Sequence, residues 1–173
     1  MSAKLIKLVI LINNLSFFCS HRLTIAEAAK NREFQIVIGY GELGGVDPMF
    51  LIQKGINVSF VPMKRGDINI FNNLKTFFHI WRFFKKEKPD IAHLVTIKPY
   101  LFVGLIARLV GIPSIVSAVS GLGTLFVHRD LKSRFLRFLI YPIYWLSFNH
   151  LNQIIIFQNK EDAKVLIRWG VLN

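Results

Sequence analysis

A chain of 173 residues can close one hydrophobic core and leaves little for a second, so one domain over residues 1–173 is expected. Apolar residues make up 53% and charged residues 18%, with a mean hydropathy of +0.43, which is high for a domain surrounded by water and implies that another body covers part of its surface. Lys and Arg outnumber Asp and Glu by 22 to 10, a net charge of +12 that selects anionic partners, while the lone Cys19 excludes an intrachain disulfide, a thiolate metal cluster and a CxxC redox pair and suits a reducing cytoplasm.

The opening MSAKLIKLVILINNLSFFCS imitates a secretion signal, but Asn13-Asn14 interrupts its apolar run and the pattern fits a first buried strand, Leu5 to Ile12. A loop, Asn13 to Ser20, should lead to a helix from about His21 to Lys30 with Ser20 as its cap. Strands follow at Phe34 to Ile38 and Ile56 to Val61, separated by a short helix entered at Asp47-Pro48, and then a longer helix from Phe71 to Lys88. Pro89-Asp90 opens the strand Ile91 to Val95, an apolar helix starts at or near Pro99 and ends at Gly111, and Pro113 opens the strand Ile115 to Val119, which runs into a glycine loop. A helix from Asp130 to about His150, bent or broken by Pro142, precedes the strand Gln153 to Phe157 and a last helix, Lys160 to Trp169, stopped by Gly170. Six strands alternating with helices define an α/β fold with a doubly wound, Rossmann-like parallel sheet. Lys98, Pro99, Arg108 and Pro113 interrupt the apolar stretch from Ile91 to Val127, leaving no run of the ~20 residues that a membrane helix needs.

In such sheets ligands sit at the carboxyl ends of the strands, so Thr96, Lys98 and Pro99, and then Ser120, Gly121 and Gly123, are candidates. The helix after Lys98 points free amides and a positive dipole into the crevice, a good place for a phosphate, and the glycines let backbone amides approach a ligand. Asn13, Ser20, His21 and Arg22 follow the first strand and could line the opposite wall. From the residues alone a solvated lysine, a plain turn and a surface arginine account for these positions as well. His93, inside a strand, reads as a core histidine.

Other patterns carry little chemistry. Gly39-Tyr40-Gly41-Glu42-Leu43-Gly44 fits G-x-G-x-x-G but follows the second strand and lacks the helix directly behind it, so it reads as a flexible glycine loop. The five histidines show no ligand spacing, and no nucleophile motif occurs, so neither metal nor nucleophile is expected.

Two helices combine aromatic and basic residues. On a wheel Phe71, Leu74, Phe77, Phe78, Trp81 and Phe84 share a face expected to pack on the sheet, with Phe83 on the polar side. In the later helix Arg134 and Arg137 begin a stripe continued by Tyr141, Tyr144, Trp145 and Phe148, which suits either the headgroup zone of an anionic membrane or a core rimmed by cations. Nucleic acid is not expected, since the cations flank neither strand-borne aromatics nor a reading helix.

SHRL at Ser20 to Leu23, KPDIAHLVTIKP at Lys88 to Pro99, SAVSGLG at Ser117 to Gly123 and IIFQNKED at Ile155 to Asp162 together resemble the amino-terminal domain of bacterial family-4 glycosyltransferases, in the branch that builds O-antigen, capsule or N-linked glycans on undecaprenyl diphosphate. The resemblance covers essentially the whole chain. It implies the amino-terminal half of a GT-B fold and a retaining transfer, with the lipid-linked acceptor held by this domain and a nucleotide-sugar donor by a second, Rossmann-like one. It implies no cofactor and no metal. The donor domain's glutamate pair and its diphosphate-binding arginine and lysine have no counterpart here, so a fragment or half of a split enzyme with a separate donor-domain subunit is expected, inactive alone. Some relatives have a histidine where this chain has Ser120, and its role does not transfer. The expected setting is peripheral to the inner face of the plasma membrane; the alternative is a non-catalytic membrane or lipid-diphosphate binding module.

Overall fold

The computed structural model describes residues 5–64, 66–67, 69–122, 126 and 130–172, with Lys132 described in backbone only. Its strands are β1 (Lys7–Asn14), β2 (Gln35–Glu42), β3 (Asn57–Phe60), β4 (Ile91–Val95), β5 (Ser114–Val119) and β6 (Gln153–Phe157). Its helices are α1 (Leu15–His21), α2 (Leu23–Lys30), α3 (Met49–Gln53), α4 (Ile70–Glu87), α5 (Ile97–Val110), α6 (Leu131–Phe148) and α7 (Lys160–Arg168). All strand pairs are parallel and the sheet order is β3-β2-β1-β4-β5-β6, the doubly wound arrangement expected. The order reverses between β1 and β4, so a crevice opens above their carboxyl ends.

The sheet faces are covered unequally. Leu15 and Phe18 of α1, Ala26 of α2 and Leu51 of α3 join one core with Ile10, Ile12, Ile36 and Ile38; α4, α5, α6 and α7 supply the other core through Ile80, Tyr100, Val103, Phe148 and Leu166. Three helices therefore serve the first face and four the second. On the first face β6 is left open, with Ile154 63% and Ile156 48% exposed.

Several elements differ from expectation for physical reasons. β1 continues through Asn14 and passes into α1 without a loop, because the Asn14 side chain caps α1 by accepting from the Phe17 amide at 3.1 Å. Ser20 is not a cap; its hydroxyl donates back to the Ser16 and Phe17 carbonyls, as in a helix interior. Gly39 and Gly41 lie inside β2 and form no flexible loop: a Cβ on Gly41 would stand 2.3 Å from the Met63 carbonyl oxygen, and one on Gly39 2.7 Å from Leu11 Cδ1. In α4 the buried residues are Thr76, Ile80, Phe83 and Phe84, while Phe71, Leu74 and Phe78 face outward. The wheel misplaced Phe83 because aromatics populate both sides of this helix. α6 runs through Pro142, and its Tyr144, a membrane-contact candidate whose stripe suited either a membrane or a core, is 2% exposed and packs against Phe126, Phe148 and Trp169. α5 begins two residues before Pro99, which occupies its first turn, where a missing amide costs nothing.

α5 and α6 approach at Gly104, where an added Cβ would lie 2.2 Å from Ser147 Cα; Ser147 also donates to the Leu101 carbonyl at 2.7 Å. Gly104→Ala should therefore separate these helices and lower stability by at least about 1–3 kcal/mol in urea denaturation. Unchanged stability would show that the two helices are not in this contact.

Candidate functional site

At the point where the strand order reverses, the Thr96 hydroxyl donates to Asn13 Oδ1 at 2.9 Å, tying the end of β4 to the end of β1. Thr96 adopts φ 76° and ψ 165°, a conformation that costs a β-branched residue about 1–3 kcal/mol. Its hydroxyl is thereby committed to Asn13, and no side chain caps the following helix α5. The amides of the first turn of α5 face the crevice with the positive end of the helix dipole, and no acid stands in that turn.

Lys98 is the second residue of α5 and is half-buried. Desolvation lowers its ammonium pKa, and the Asp67 carboxylate opposes that shift. Asp67 reaches this position on the connection from β3 to α4. Its carboxylate accepts from the Asn69 amide at 2.9 Å and from Asn72 Nδ2 at 2.8 Å, and these bonds, with Lys98 and Lys64, hold its pKa below the ordinary carboxylate value. Asp67 was not anticipated, because its partnership with Lys98 spans 31 positions and no local motif marks it.

The neighbouring wall comes from the end of β5. The buried Tyr100 hydroxyl donates to the Gly121 carbonyl at 3.1 Å, which fixes Ser120 and Gly121 against α5, and Gly121 takes φ 138°, open to glycine alone at low cost. Burial first, with the neighbouring Tyr144 and Asp162 adding to it, raises the Tyr100 pKa far above the physiological range, so this phenol is a fixed donor. Asn13, Thr96, Lys98, Ser120 and Gly121 therefore all stand at or just beyond the carboxyl ends of β1, β4 and β5, where the strand order reverses; Gly123 lies outside the described residues.

Ser20, His21 and Arg22 form a separate group at the far end of α1, about 10 Å along it from Asn14. His21 stacks on Phe17 with centroids 4.2 Å apart and shares a 2.7 Å contact with Ser20 Oγ. Arg22 turns towards His93 on the sheet face, and its buried Nε and the His93 Nε2 both lack hydrogen-bond partners. His93 is thus a core residue, as expected, with one unsatisfied nitrogen. Of the membrane-contact candidates Arg134 is exposed, while Tyr141 is half-buried with its hydroxyl donating to the Gly170 carbonyl at 3.1 Å. Arg137 is half-buried. Among the described residues no three His, Cys, Asp or Glu side chains group to hold a metal ion, and no helix is long and apolar enough to cross a membrane.

Comparison with known proteins adds the following. A family described as glycosyl transferase 4-like matches residues 7–159. An N,N'-diacetylbacillosaminyl-diphospho-undecaprenol alpha-1,3-N-acetylgalactosaminyltransferase of Campylobacter jejuni is 28% identical over 152 residues, covering 87% of this chain and 39% of its own length. A UDP-Gal:alpha-D-GlcNAc-diphosphoundecaprenol alpha-1,3-galactosyltransferase of Escherichia coli is 28% identical over 95 residues, covering 55% of this chain and 24% of its own. The chain thus spans well under half the length of these relatives. Among solved structures, a UDP-N-acetylglucosamine 2-epimerase from Listeria monocytogenes superposes with a TM-score of 0.62 at 14% identity, over 96% of this chain and 43% of its own, a likeness of fold.

The His93 pKa is held at about 4 against an ordinary 6.5, by burial first and the Arg22 charge second, with a hydrogen bond to the Val116 backbone opposing both. The unfolded chain takes up this proton first, so stability present above pH 6.5 is lost as pH falls towards 4, by about 3 kcal/mol. Urea denaturation across that interval should show a shallower decline for His93→Gln than for the native chain. Equal slopes would remove His93 as the source.

Proposed function

Because the chain belongs to the glycosyl transferase 4-like family, we propose that it is the acceptor-binding half of a retaining glycosyltransferase that moves a sugar from a nucleotide-sugar to an undecaprenyl-diphosphate-linked glycan. The observation that carries this reading is the first turn of α5. Its amides meet no side-chain cap, Lys98 stands among them, and Thr96 and Asn13 fix the turn at the point where the strand order reverses. That combination suits a diphosphate: several backbone donors, a dipole and a half-buried cation at one place. The names of the Campylobacter and Escherichia relatives supply the acceptor class, since both describe a diphospho-undecaprenol carrier.

On this reading the glycan would extend from the diphosphate towards Ser120 and Gly121, and a donor-binding domain, on the same or a separate chain, would bring the nucleotide-sugar to the open side of the crevice. Lys98 and α5 neutralise the acceptor's diphosphate; they neither activate the hydroxyl nor stabilise the departing nucleotide, which falls to the donor domain. The product would enter O-antigen, capsule or glycoprotein glycan synthesis at the inner face of an anionic plasma membrane.

Titrating the purified 173-residue chain in detergent with an undecaprenyl-diphosphate-sugar analogue should give saturable binding, and UDP-sugars should give none. Lys98→Ala should keep the fold and lose about 1.5–3 kcal/mol of acceptor affinity, roughly ten- to a hundredfold. Undiminished affinity would remove Lys98 from the site, and binding of UDP-sugar alone would overturn the assignment to the acceptor side.

A further inference from the structure

The two edge strands of the sheet differ in character. β3 has four residues and is flanked in the chain by Lys54 and Lys64, a short edge of the kind that resists pairing. β6 has five, QIIIF, with no Pro among them, and residues 138–159 contain no Lys, Arg, Asp or Glu. In the sheet β6 is bonded to β5 alone, so its other edge presents unpaired backbone groups. Beside that edge the first face shows Ile154 and Ile156, 63% and 48% exposed.

The β5 side sets the phase of those backbone groups. The Ile115 amide donates to the Asn152 carbonyl at 3.0 Å, and the Gln158 amide donates to the Val119 carbonyl at 3.2 Å. The N–H and C=O of one residue point to the same side of a strand and those of the next residue to the other. Asn152, Ile154, Ile156 and Gln158 therefore turn their backbone groups to β5, and Gln153, Ile155 and Phe157 turn theirs outward. This outward set is symmetric about Ile155. A second copy turned about a dyad at Ile155 meets it completely: Ile155 exchanges both of its bonds with its own counterpart, and Gln153 exchanges both of its bonds with Phe157 at either end. Ile154 then stands opposite Ile156 of the second copy, in the closer, non-hydrogen-bonded type of pair, where β-branched side chains pack well.

We infer that β6 pairs antiparallel with β6 of a second copy of this chain, joining two six-stranded sheets across a dyad at Ile155. The occupant is a second copy because the edge complements itself in hydrogen-bond phase and in the Ile154–Ile156 pairs. It is also an uncharged edge on a chain of net charge +12, so two like-charged molecules meet there without setting cation against cation. The contact is small. Five strand residues a side fall well short of the ~20–30 of a standard stable interface, so the dimer dissociates on dilution. The dyad sends the carboxyl ends of the two sheets in opposite directions, so the two crevices share no ligand and the pairing stands apart from the acceptor reading.

The test is sedimentation equilibrium of the full chain across a wide range of concentration, in which the native chain should pass from monomer to dimer. Ile154→Lys/Ile156→Lys, at exposed positions and checked for an unchanged circular dichroism spectrum, sets like charges opposite each other at both pairs. It should lose about tenfold or more in association. Ile154→Lys/Ile156→Glu sets Lys opposite Glu at both pairs and should recover association to within about threefold of the native chain. A native chain that stays monomeric at every concentration, leaving the edge to a different protein, overturns the inference. So does a dimer that withstands the double-lysine variant and is dissolved by Phe135→Ser/Phe138→Ser at exposed positions of α6. A Lys/Glu variant as weak as the double-lysine one overturns the register and the inference with it. Lys98→Ala should dimerise like the native chain, and the double-lysine variant should keep native acceptor affinity, so failure of the acceptor reading and failure of this one are separable.

Discussion

The hydrogen bond between Thr96 and Asn13 joins the two strands where the sheet order reverses, and the geometry of the crevice depends on it. It holds Thr96 at a positive φ that a β-branched residue avoids, and strain of this kind persists only where its surroundings over-determine it. Several contacts do so here. Asn13 is buried, the Met63 and Asn13 carbonyls both close on Gly41 of β2, and Tyr100 anchors α5 to the end of β5. The effect is to commit the one side chain that would ordinarily cap α5 and to leave the helix's first amides for something else.

Around that turn the charges are arranged asymmetrically. Lys98 is partly withdrawn from water and draws on Asp67, which is itself held by the entrance to α4. An arriving polyanion would compete with the Asp67 carboxylate for Lys98 while gaining the helix dipole and backbone donors. On the proposed reading the crevice would take a ligand with several acceptor oxygens. Two buried nitrogens, Arg22 Nε and His93 Nε2, lack hydrogen-bond partners.

Much of the fold was legible in the sequence, and the failures share a cause. β4 and β6 were delimited residue for residue, because Pro89-Asp90 and the polar residues around QIIIF punctuate short apolar runs. The junction of β1 and α1 was missed, since Asn13-Asn14 looks like a break when Asn14 is a cap and Asn13 a strand residue. The orientation of α4 was misjudged because Phe occurs on both of its sides and an apolar wheel has no way to rank them; burial is decided by contact with α5 and the sheet. Tyr144 was legible as part of a stripe, but the wheel left core and membrane both open, for the same reason. In the candidate site, the placement of Lys98, Thr96 and Gly121 just after strand ends was readable from the sequence. Asp67 and the Asn13–Thr96 bond were not, because each joins residues far apart in the chain.

The high apolar content is explained by surface as much as by core. A chain whose helical layer presents aromatics and cations outward, and whose β6 shows isoleucines on its other face, is shaped to be covered on two sides. Amide chemical-shift mapping of the isotope-labelled chain with a short-chain polyprenyl-diphosphate sugar in detergent tests the central claim most directly. The account predicts that the largest saturable shifts fall on Thr96, Ile97, Lys98, Ser120 and Gly121. Shifts confined to the Arg22–His93 region, with the amino-terminal turn of α5 unmoved, would contradict it.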